Sequence, residues 1–304
     1  MSSHYYSLNE YLQGSFGGKL YKLALDGGFT CPNRDGTLDT RGCIFCSGRG
    51  SGNFAELLSA STSETLDRAI ARVASKGTCV GYIAYFQNYT GTYAPIERLK
   101  SLYRAVLEDE RVKVLSIATR PDCLGDDVME LLTELNREKP VWIELGLQTI
   151  HPQTAEYIRR GYPLEVFDSA VKRCREAGLE VIVHMILGLP GESDEMICQT
   201  AEYIGKSGAN GIKLQLLHLL KGTDLAADYA AGKFSAMEME HYIQLLENCI
   251  RVLPTEMVIH RLTGDGDKRE LIAPLWTADK KRVLNAIQSA FERDGLIQGE
   301  NIRP

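Results

Sequence analysis

Residues 180–220 read EVIVHMILGLPGESDEMICQTAEYIGKSGANGIKLQLLHLL and contain one helix pattern between two strand patterns. The β-rich runs are Glu180–Gly188 and Gly211–Leu220, and an amphipathic segment at 193–207 lies between them. Gly208 stands where that helix should end. A strand followed by a helix and another strand is the repeating unit of α/β proteins, in which the strands run parallel.

The same alternation covers most of the chain. Further strands are predicted at Lys19–Asp26, Cys79–Gln87, Val112–Arg120, Val141–Thr149 and Met257–Gly264, and further helices at about 63–76, 95–109, 125–138, 165–177, 236–252 and 278–293. We therefore predict an α/β fold, a partial (β/α)6 barrel of the TIM type with a parallel sheet, although the pattern also fits a doubly wound open sheet. The expected organisation is a single domain over 1–304, with an N-terminal extension at 1–18, the partial barrel at 19–220 and a C-terminal extension at 221–304 packed on the barrel.

Composition excludes several classes of protein. Of the 304 residues, 44% are hydrophobic and 24% charged, which is ordinary for a globular enzyme. There is no run of eighteen apolar residues, and 1–13 lacks a basic segment followed by an apolar one, so neither a membrane span nor a secretory signal is predicted. The expected location is the cytoplasm, with no membrane partner. A net charge of −6 speaks against DNA binding and means that an RNA partner would need a local basic patch.

Polar residues interrupt three of the predicted strands. Parallel strands that are buried on both faces are mostly apolar, but here polar side chains share strand faces or stand in mid-strand: Glu144, Gln148, His184, Lys213 and Gln215. An internally satisfied polar network is one explanation. Their recurrence on three consecutive strands favours a cavity inside the barrel.

Three of the eight cysteines lie together in the connection between the first strand and the first helix. Residues 26–48 read DGGFTCPNRDGTLDTRGCIFCSG and contain Cys31, Cys43 and Cys46, whereas the other five cysteines are scattered. Three thiolates without a fourth ligand nearby suit a four-iron cluster with one open iron. A structural zinc site, which normally has four protein ligands, and a dithiol pair that does not use Cys31 are the alternatives.

Several short motifs are similar to those of a known group of enzymes. They are CPNRDG at 31–36, CIFC at 43–46, YFQ at 85–87, TRPDC at 119–123, ELGLQT at 144–149, GLPGE at 188–192, KGT at 221–223 and HR at 260–261. The chain resembles radical S-adenosylmethionine (SAM) enzymes of the branch that contains the elongator subunit and oxygen-independent coproporphyrinogen dehydrogenase. It more closely resembles a bacterial family of short, single-domain radical SAM proteins. Two features differ from the common pattern: eleven residues separate the first two cysteines, and Tyr162 follows Arg160 and Gly161 where relatives often have histidine.

The resemblance implies a radical SAM enzyme with a [4Fe-4S] cluster on Cys31, Cys43 and Cys46. The open iron would bind the amino and carboxylate groups of SAM, and one electron would cleave SAM to methionine and a 5′-deoxyadenosyl radical. An electron donor such as flavodoxin or ferredoxin is implied by the same chemistry.

The resemblance also suggests roles for individual residues. Gln87 and Asn88 are expected at the methionyl amino group, Thr119 at the ribose, Arg160 at the carboxylate, Phe45 at the adenine and Gly188 beside the adenosine. The other expected SAM-site residues are Gln148, His184 and Glu144. Candidates for the substrate side are Arg120, Lys213, Gln215, His218 and His260, and Cys123 is a candidate hydrogen-atom or thiol donor that is equally well explained as a small buried side chain.

For the substrate, the resemblance implies tRNA. The related bacterial family is associated with the wobble uridine, from which it removes the carboxymethyl group of 5-carboxymethylaminomethyl-2-thiouridine to leave the 5-aminomethyl form. Basic residues that could form an RNA-binding rim, or simply solvated helix faces, are Arg159, Arg160, Lys172, Arg173 and Arg175, together with Lys280, Lys281 and Arg282. Two other functions stay open: a radical SAM reaction on a small metabolite, and a non-catalytic RNA-binding protein that holds zinc.

Overall fold

A curled parallel sheet forms the centre of the protein. The computed structural model describes residues 4–48, 50, 55–58, 61–264 and 266–302. In this part of the chain the strands are β1 Leu20–Asp26, β2 Glu56–Leu57, β3 Gly81–Phe86, β4 Val112–Thr119, β5 Val141–Gln148, β6 Glu180–Leu187, β7 Gly211–Leu216, β8 Leu219–Leu220, β9 Val258–Arg261 and β10 Leu271–Ala273. Eight of them form one sheet in the order β2-β1-β3-β4-β5-β6-β7-β9, with every neighbouring pair parallel. The other two, β8 and β10, pair antiparallel beside it.

The sheet is bent into part of a barrel. Lys22 of β1 reaches Glu144 of β5 at 2.9 Å, although β3 and β4 lie between these two strands in the sheet. Such a contact requires the sheet to curl until β1 and β5 face each other. The predicted α/β fold with a partial barrel of parallel strands is therefore confirmed.

Helices cover the outside of the sheet. They are α1 Leu8–Phe16, α2 Thr62–Val73, α3 Ile96–Leu107, α4 Asp126–Asn136, α5 Pro152–Tyr157, α6 Leu164–Glu176, α7 Asp194–Lys206, α8 Asp224–Ala230, α9 Met239–Arg251 and α10 Lys280–Arg293. Several begin where a side-chain oxygen accepts a hydrogen bond from a backbone N–H that the helix itself leaves unpaired, as at Ser61, Ser193 and Thr223. No helix in the described ranges is both long and apolar enough to cross a membrane.

The apolar core lies between the helices and the sheet. Strand residues such as Leu23, Leu115, Ile143 and Val183 are fully buried and belong to one cluster with the inner faces of the helices. At about 25 cal/mol per Å² of buried apolar surface, this cluster is the main stabilising term of the fold.

Some elements differ from the sequence-based prediction. The predicted strand Gly211–Leu220 divides into β7 and β8, and the strand β9, from the expected C-terminal extension, adds to the edge of the main sheet. The short elements α1, β2, α5, α8 and β10 were not predicted, because segments of two to nine residues carry too little periodicity to be recognised.

Candidate active site

A cavity of about 300 Å³ opens at the carboxyl ends of the strands. Parallel barrels place their functional groups at this end, because the loops after the strands converge there. Most of the residues predicted to form the site line it: Cys31, Cys43, Phe45, Cys46, Gln87, Thr119, Arg120, Glu144, Gln148, Arg160, His184, Gln215 and His218. Of the five polar strand residues on which the cavity was predicted, four line it, and Lys213 does not.

The cysteine loop is fixed by hydrogen bonds to its own backbone and to the loop after α5. The Arg34 guanidinium donates to the carbonyl oxygens of Cys46 at 2.9 Å and Ser47 at 2.7 Å. The buried Asn33 amide donates to the Arg159 carbonyl oxygen at 2.7 Å and lies 3.4 Å from the Cys43 sulfur. The Cys43 thiol in turn donates to the Arg159 carbonyl oxygen at 3.7 Å, and together these contacts hold the loop at the cavity wall.

Burial shifts the pKa of two of the clustered thiols, Cys43 and Cys46. Burial raises the pKa of Cys43 to about 12, and the neighbouring Cys46 and Cys31 sulfurs add to the shift. Burial likewise raises the pKa of Cys46, which Arg34 partly opposes. Thiols in such a place are protonated at neutral pH unless a bound metal displaces the proton.

The donor set suits an iron–sulfur cluster. Three thiols line one cavity wall, and each thiolate of such a cluster binds a separate iron. Cys31, Cys43 and Cys46 would thus hold the cluster.

Some buried polar atoms on the cavity wall lack a hydrogen-bond partner in the described part of the chain. The side-chain oxygens of Thr90 and Gln148 are buried without a hydrogen bond. Gln148 also has a left-handed backbone conformation, with φ at 69°, which non-glycine residues rarely adopt. Buried polar atoms are normally satisfied, so these two fit a polar ligand such as SAM. Thr90 was missed from the sequence, where its only signal is its place just after a predicted strand.

Arg160 is held by backbone carbonyl groups. Its Nη1 donates to the Thr149 oxygen at 2.6 Å, its Nε donates to the Tyr162 oxygen at 3.1 Å, and the guanidinium lies 4.7 Å from the centre of the Tyr162 ring. Arg120 in turn donates to the Arg160 carbonyl and pairs with Asp122 at 2.7 Å. Two of the guanidinium nitrogens of Arg160, the residue predicted to bind the SAM carboxylate, therefore already donate to backbone oxygens.

A buried charge network forms the floor of the cavity. The Glu144 carboxylate, which is fully buried, accepts hydrogen bonds from Lys22 at 2.9 Å, Ser116 at 2.7 Å and His184 at 2.6 Å, and also from Lys213. Burial alone would raise the pKa of Glu144, but Lys213 and Lys22 outweigh burial and hold it well below its ordinary value. Lys22 was not among the predicted residues, and its signal is a lysine in the middle of an otherwise apolar strand.

Five predicted residues are absent from the part of the cavity lining that the structure describes. The Asn88 amide donates to the Asp26 carboxylate at 2.5 Å. Lys213 is buried and pairs with Glu144, and it does not itself line the cavity. Gly188 has a φ of 84°, and a Cβ there would approach the Met237 side chain at 3.2 Å. The other two are His260, whose ring packs 5.4 Å from that of Trp142, and Cys123, which lines a separate surface groove.

The predicted basic rim is divided between different elements. Arg160 is buried in the cavity wall, and Arg159 pairs with Asp224 at 2.6 Å. Lys172, Arg173 and Arg175 lie on α6, where Arg173 pairs with Asp126 at 2.6 Å. The second predicted set, residues 280–282, opens α10. The basic residues therefore do not belong to one segment around the cavity.

Replacing Gly161 with alanine is expected to disturb the cysteine loop. Gly161 has a φ of 80°, and a Cβ there would lie 2.9 Å from the Asn33 side-chain oxygen and 3.3 Å from Arg120. We expect a loss of at least about 2 kcal/mol in the free energy of unfolding and a lower iron content after anaerobic reconstitution.

Gly178→Ala is the matched control for Gly161→Ala. Gly178 also has a positive φ, at 71°, but a Cβ there would meet no atom within 4 Å. The free energy of unfolding of Gly178→Ala should fall by only about 1 kcal/mol, the cost of a positive φ for alanine. Its iron content should be unchanged. Equal stability and iron content in the two variants would contradict the proposed contact with Asn33.

Comparison with known proteins identifies two matching regions. Residues 40–204 match the Radical SAM superfamily profile, and residues 209–293 match the Radical_SAM C-terminal domain profile. The chain is 43% identical to the uncharacterized protein YtqA of Bacillus subtilis, over 97% of this chain and 92% of the relative. It is also 25% identical to the tRNA uridine(34) acetyltransferase of Methanocaldococcus jannaschii, over 52% of this chain and 29% of that protein.

A solved structure shares the fold. The archaeal Methanocaldococcus infernus Elp3 with an N-terminal deletion superposes with a TM-score of 0.68 at 18% sequence identity, and the match covers 92% of this chain and 64% of that one. At this identity the likeness concerns the architecture alone. It extends over nearly the whole chain, including the segment after β7.

Proposed function

The chain belongs to the radical SAM superfamily, and we propose that it modifies the wobble uridine of tRNA. In the proposed reaction the carboxymethyl group of 5-carboxymethylaminomethyluridine, with or without the 2-thio group, is removed to leave 5-aminomethyluridine. The methylene carbon of that group would lose a hydrogen atom to the radical and one electron to the cluster, and water would hydrolyse the resulting imine and release the two carbons as glyoxylate. As a radical SAM enzyme it uses a [4Fe-4S] cluster and SAM. When bound, these cofactors supply a 5′-deoxyadenosyl radical from SAM and one electron, which a donor such as flavodoxin or ferredoxin delivers.

The cavity is the observation that carries this proposal. Cys31, Cys43 and Cys46 hold the cluster at its wall, and the unpaired oxygens of Thr90 and Gln148 receive donor groups of SAM. The strands and the cysteine loop enclose the space in between and limit the access of water. Exclusion of water protects a reactive radical from side reactions.

The charge of the cavity fits ligands that bear carboxylates. Among the described lining residues, four are arginines and two are carboxylates: Arg34, Arg120, Arg160 and Arg261, and Glu144 and Asp267. Both SAM and the proposed nucleoside carry a carboxylate group. An excess of cationic groups in an enclosed site favours such anions.

Similarity to an enzyme that is named for uridine 34 of tRNA supports the tRNA substrate. The tRNA uridine(34) acetyltransferase is named for uridine 34, and its similarity to this chain extends over about half of the chain. The fold shared with Elp3 places the same barrel in both proteins. The proposal assigns a different modification, on the same nucleotide, to this shorter chain.

A strain without the gene tests the proposal directly. Mass spectrometry of tRNA nucleosides from that strain should show accumulation of the carboxymethylaminomethyl form and loss of the aminomethyl form. A wild-type copy should restore the aminomethyl form, whereas a copy with Cys31, Cys43 and Cys46 replaced by alanine should not. An unchanged wobble-uridine profile would contradict the tRNA substrate and favour a small metabolite.

A further inference from the structure

Glu144 determines which ring nitrogen of His184 bears a hydrogen atom. Lys22 and Ser116 donate to its Oε1, and Lys213 and the His184 Nε2 contact its Oε2. Two lysines beside the carboxylate keep it ionised, so it has no proton to donate. The hydrogen in the 2.6 Å contact with His184 therefore belongs to the histidine Nε2.

The other ring nitrogen of His184 is consequently an acceptor. Burial and the charge of Lys213 lower the pKa of His184 to about 4, so the ring is neutral at neutral pH. A neutral imidazole has one N–H, and here it is on Nε2. The side chain is 16% exposed and lines the cavity, and within the described ranges Nδ1 makes no hydrogen bond. The lone pair of His184 Nδ1 is therefore available to a ligand in the cavity.

The depth of His184 limits which part of a ligand reaches it. His184 is the fifth residue of the eight in β6, and Glu144 is the fourth of the eight in β5. Thr119 and Gln148, in contrast, end their strands near the mouth. A ligand therefore reaches His184 only through a part that extends inward past the ends of these strands. In the proposed substrate the substituent on carbon 5 of the uracil extends farthest from the ribose, so it is the part that could extend to this depth.

We propose, on the basis of the function proposed above, that His184 Nδ1 accepts a hydrogen bond from the side-chain amine of the modified uridine. Because Nδ1 has no hydrogen of its own, its ligand partner must be a donor, and a carboxylate or carbonyl oxygen does not qualify. The amine is the donor in the substituent and forms one end of the bond that is broken. His184 thereby determines specificity for an aminomethyl nucleoside, and Glu144 is the positioning residue that fixes the histidine tautomer.

Nitrogen NMR of the anaerobic holoenzyme, labelled with ¹⁵N-histidine, tests the tautomer. One histidine should show a protonated Nε2 and an unprotonated Nδ1 throughout the neutral pH range, and its signals should vanish in His184→Gln. In Glu144→Gln the two nitrogen shifts should move toward each other, because the amide no longer selects one tautomer. A hydrogen on Nδ1 in the wild-type protein, or an imidazolium at neutral pH, would overturn the proposal.

A pair of anticodon stem-loops tests the ligand. One carries 5-carboxymethylaminomethyluridine, and the other carries an isostere in which oxygen replaces the amine nitrogen and so removes the donor. With SAM present and no reductant, the wild-type holoenzyme should bind the amine RNA about tenfold more tightly. In His184→Leu the two affinities should agree within about twofold.

The two measurements separate the failure of this inference from the failure of the proposed function. Equal binding of both RNAs by the wild-type protein would overturn the contact between His184 and the amine while leaving a tRNA substrate in place. Binding of neither RNA would overturn the tRNA substrate and, with it, the assignment of the amine. The NMR result decides the tautomer in either case.

Discussion

Protein in which Cys31, Cys43 and Cys46 are all replaced by alanine is expected to be colourless after anaerobic reconstitution with iron and sulfide. The wild-type protein should be brown, because thiolate-bound iron–sulfur clusters absorb visible light. The three thiols line one wall of the cavity, and removing them leaves no ligand for the irons. With SAM and a reductant, the triple variant should release no 5′-deoxyadenosine above background.

Cys123→Ala is the matched control for the cluster ligands. Cys123 is a half-buried cysteine in a groove on the outer surface, and the pKa of its thiol is raised to about 12, chiefly by burial. This variant should stay brown. A cluster that survives in the triple variant, or is lost in Cys123→Ala, would contradict the assignment. A colourless wild-type protein with one zinc per chain would instead indicate a zinc protein.

Replacing Glu144 alone by leucine is expected to lower the free energy of unfolding by about 3–5 kcal/mol. Lys213 is only 2% exposed, and burial holds its pKa well below the ordinary value, so without Glu144 the amine either loses its proton or stays charged with no opposite charge beside it. Removal of one partner of a buried ion pair is among the most destabilising single changes. Denaturant unfolding followed by circular dichroism measures the loss.

The double variant Glu144→Leu with Lys213→Met separates the ion pair from packing. Apolar residues of similar volume in place of both partners should restore most of the stability, because the charge of the fully buried Lys213 is gone and the remaining cation, Lys22, is partly exposed to water. Both variants should lose activity, since His184 loses its partner in each. A double variant as unstable as Glu144→Leu would show that the charge of Lys213 is not the cause.

The network also makes stability depend on pH. The lysines lower the pKa of Glu144 in the folded protein below its value of about 4.3 in the unfolded chain. The contribution of the Glu144 carboxylate to stability is therefore complete above the unfolded-state pKa, and it is lost as the pH falls through the folded-state pKa. As the pH falls into the acid range, the free energy of unfolding of the wild-type protein should therefore decrease more than that of the double variant.

The sequence was sufficient to predict the sheet and most of its helices. A buried parallel strand and an amphipathic helix each have a period that is expressed by the residues of one segment. The strands β1, β3, β4, β5 and β6 are therefore predicted close to their actual bounds, and β7 is predicted with its correct start. The spacing of Cys31, Cys43 and Cys46 within one long connection predicted a common site, because a single loop brings all three to the same end of the barrel.

Other features depend on which segments meet across the barrel. The sequence indicated that Glu144, His184 and Lys213 face inward, but it could not show that Lys22, from a strand more than a hundred residues earlier, contacts the same carboxylate. Gln87 and Asn88 are the first and second residues after β3, yet the Asn88 amide bonds to Asp26 while Gln87 lines the cavity.

The local pattern of residues thus determined the strands, the inward-facing polar positions and the cysteine site. Only the tertiary structure decided that Glu144 is shared by four donors, that His184 offers one lone pair to the cavity and that β9 adds to the sheet edge. The physical reason is that periodicity is encoded within each segment. The partners of a buried charge, in contrast, are set by the curl of the sheet, which is a property of the whole chain.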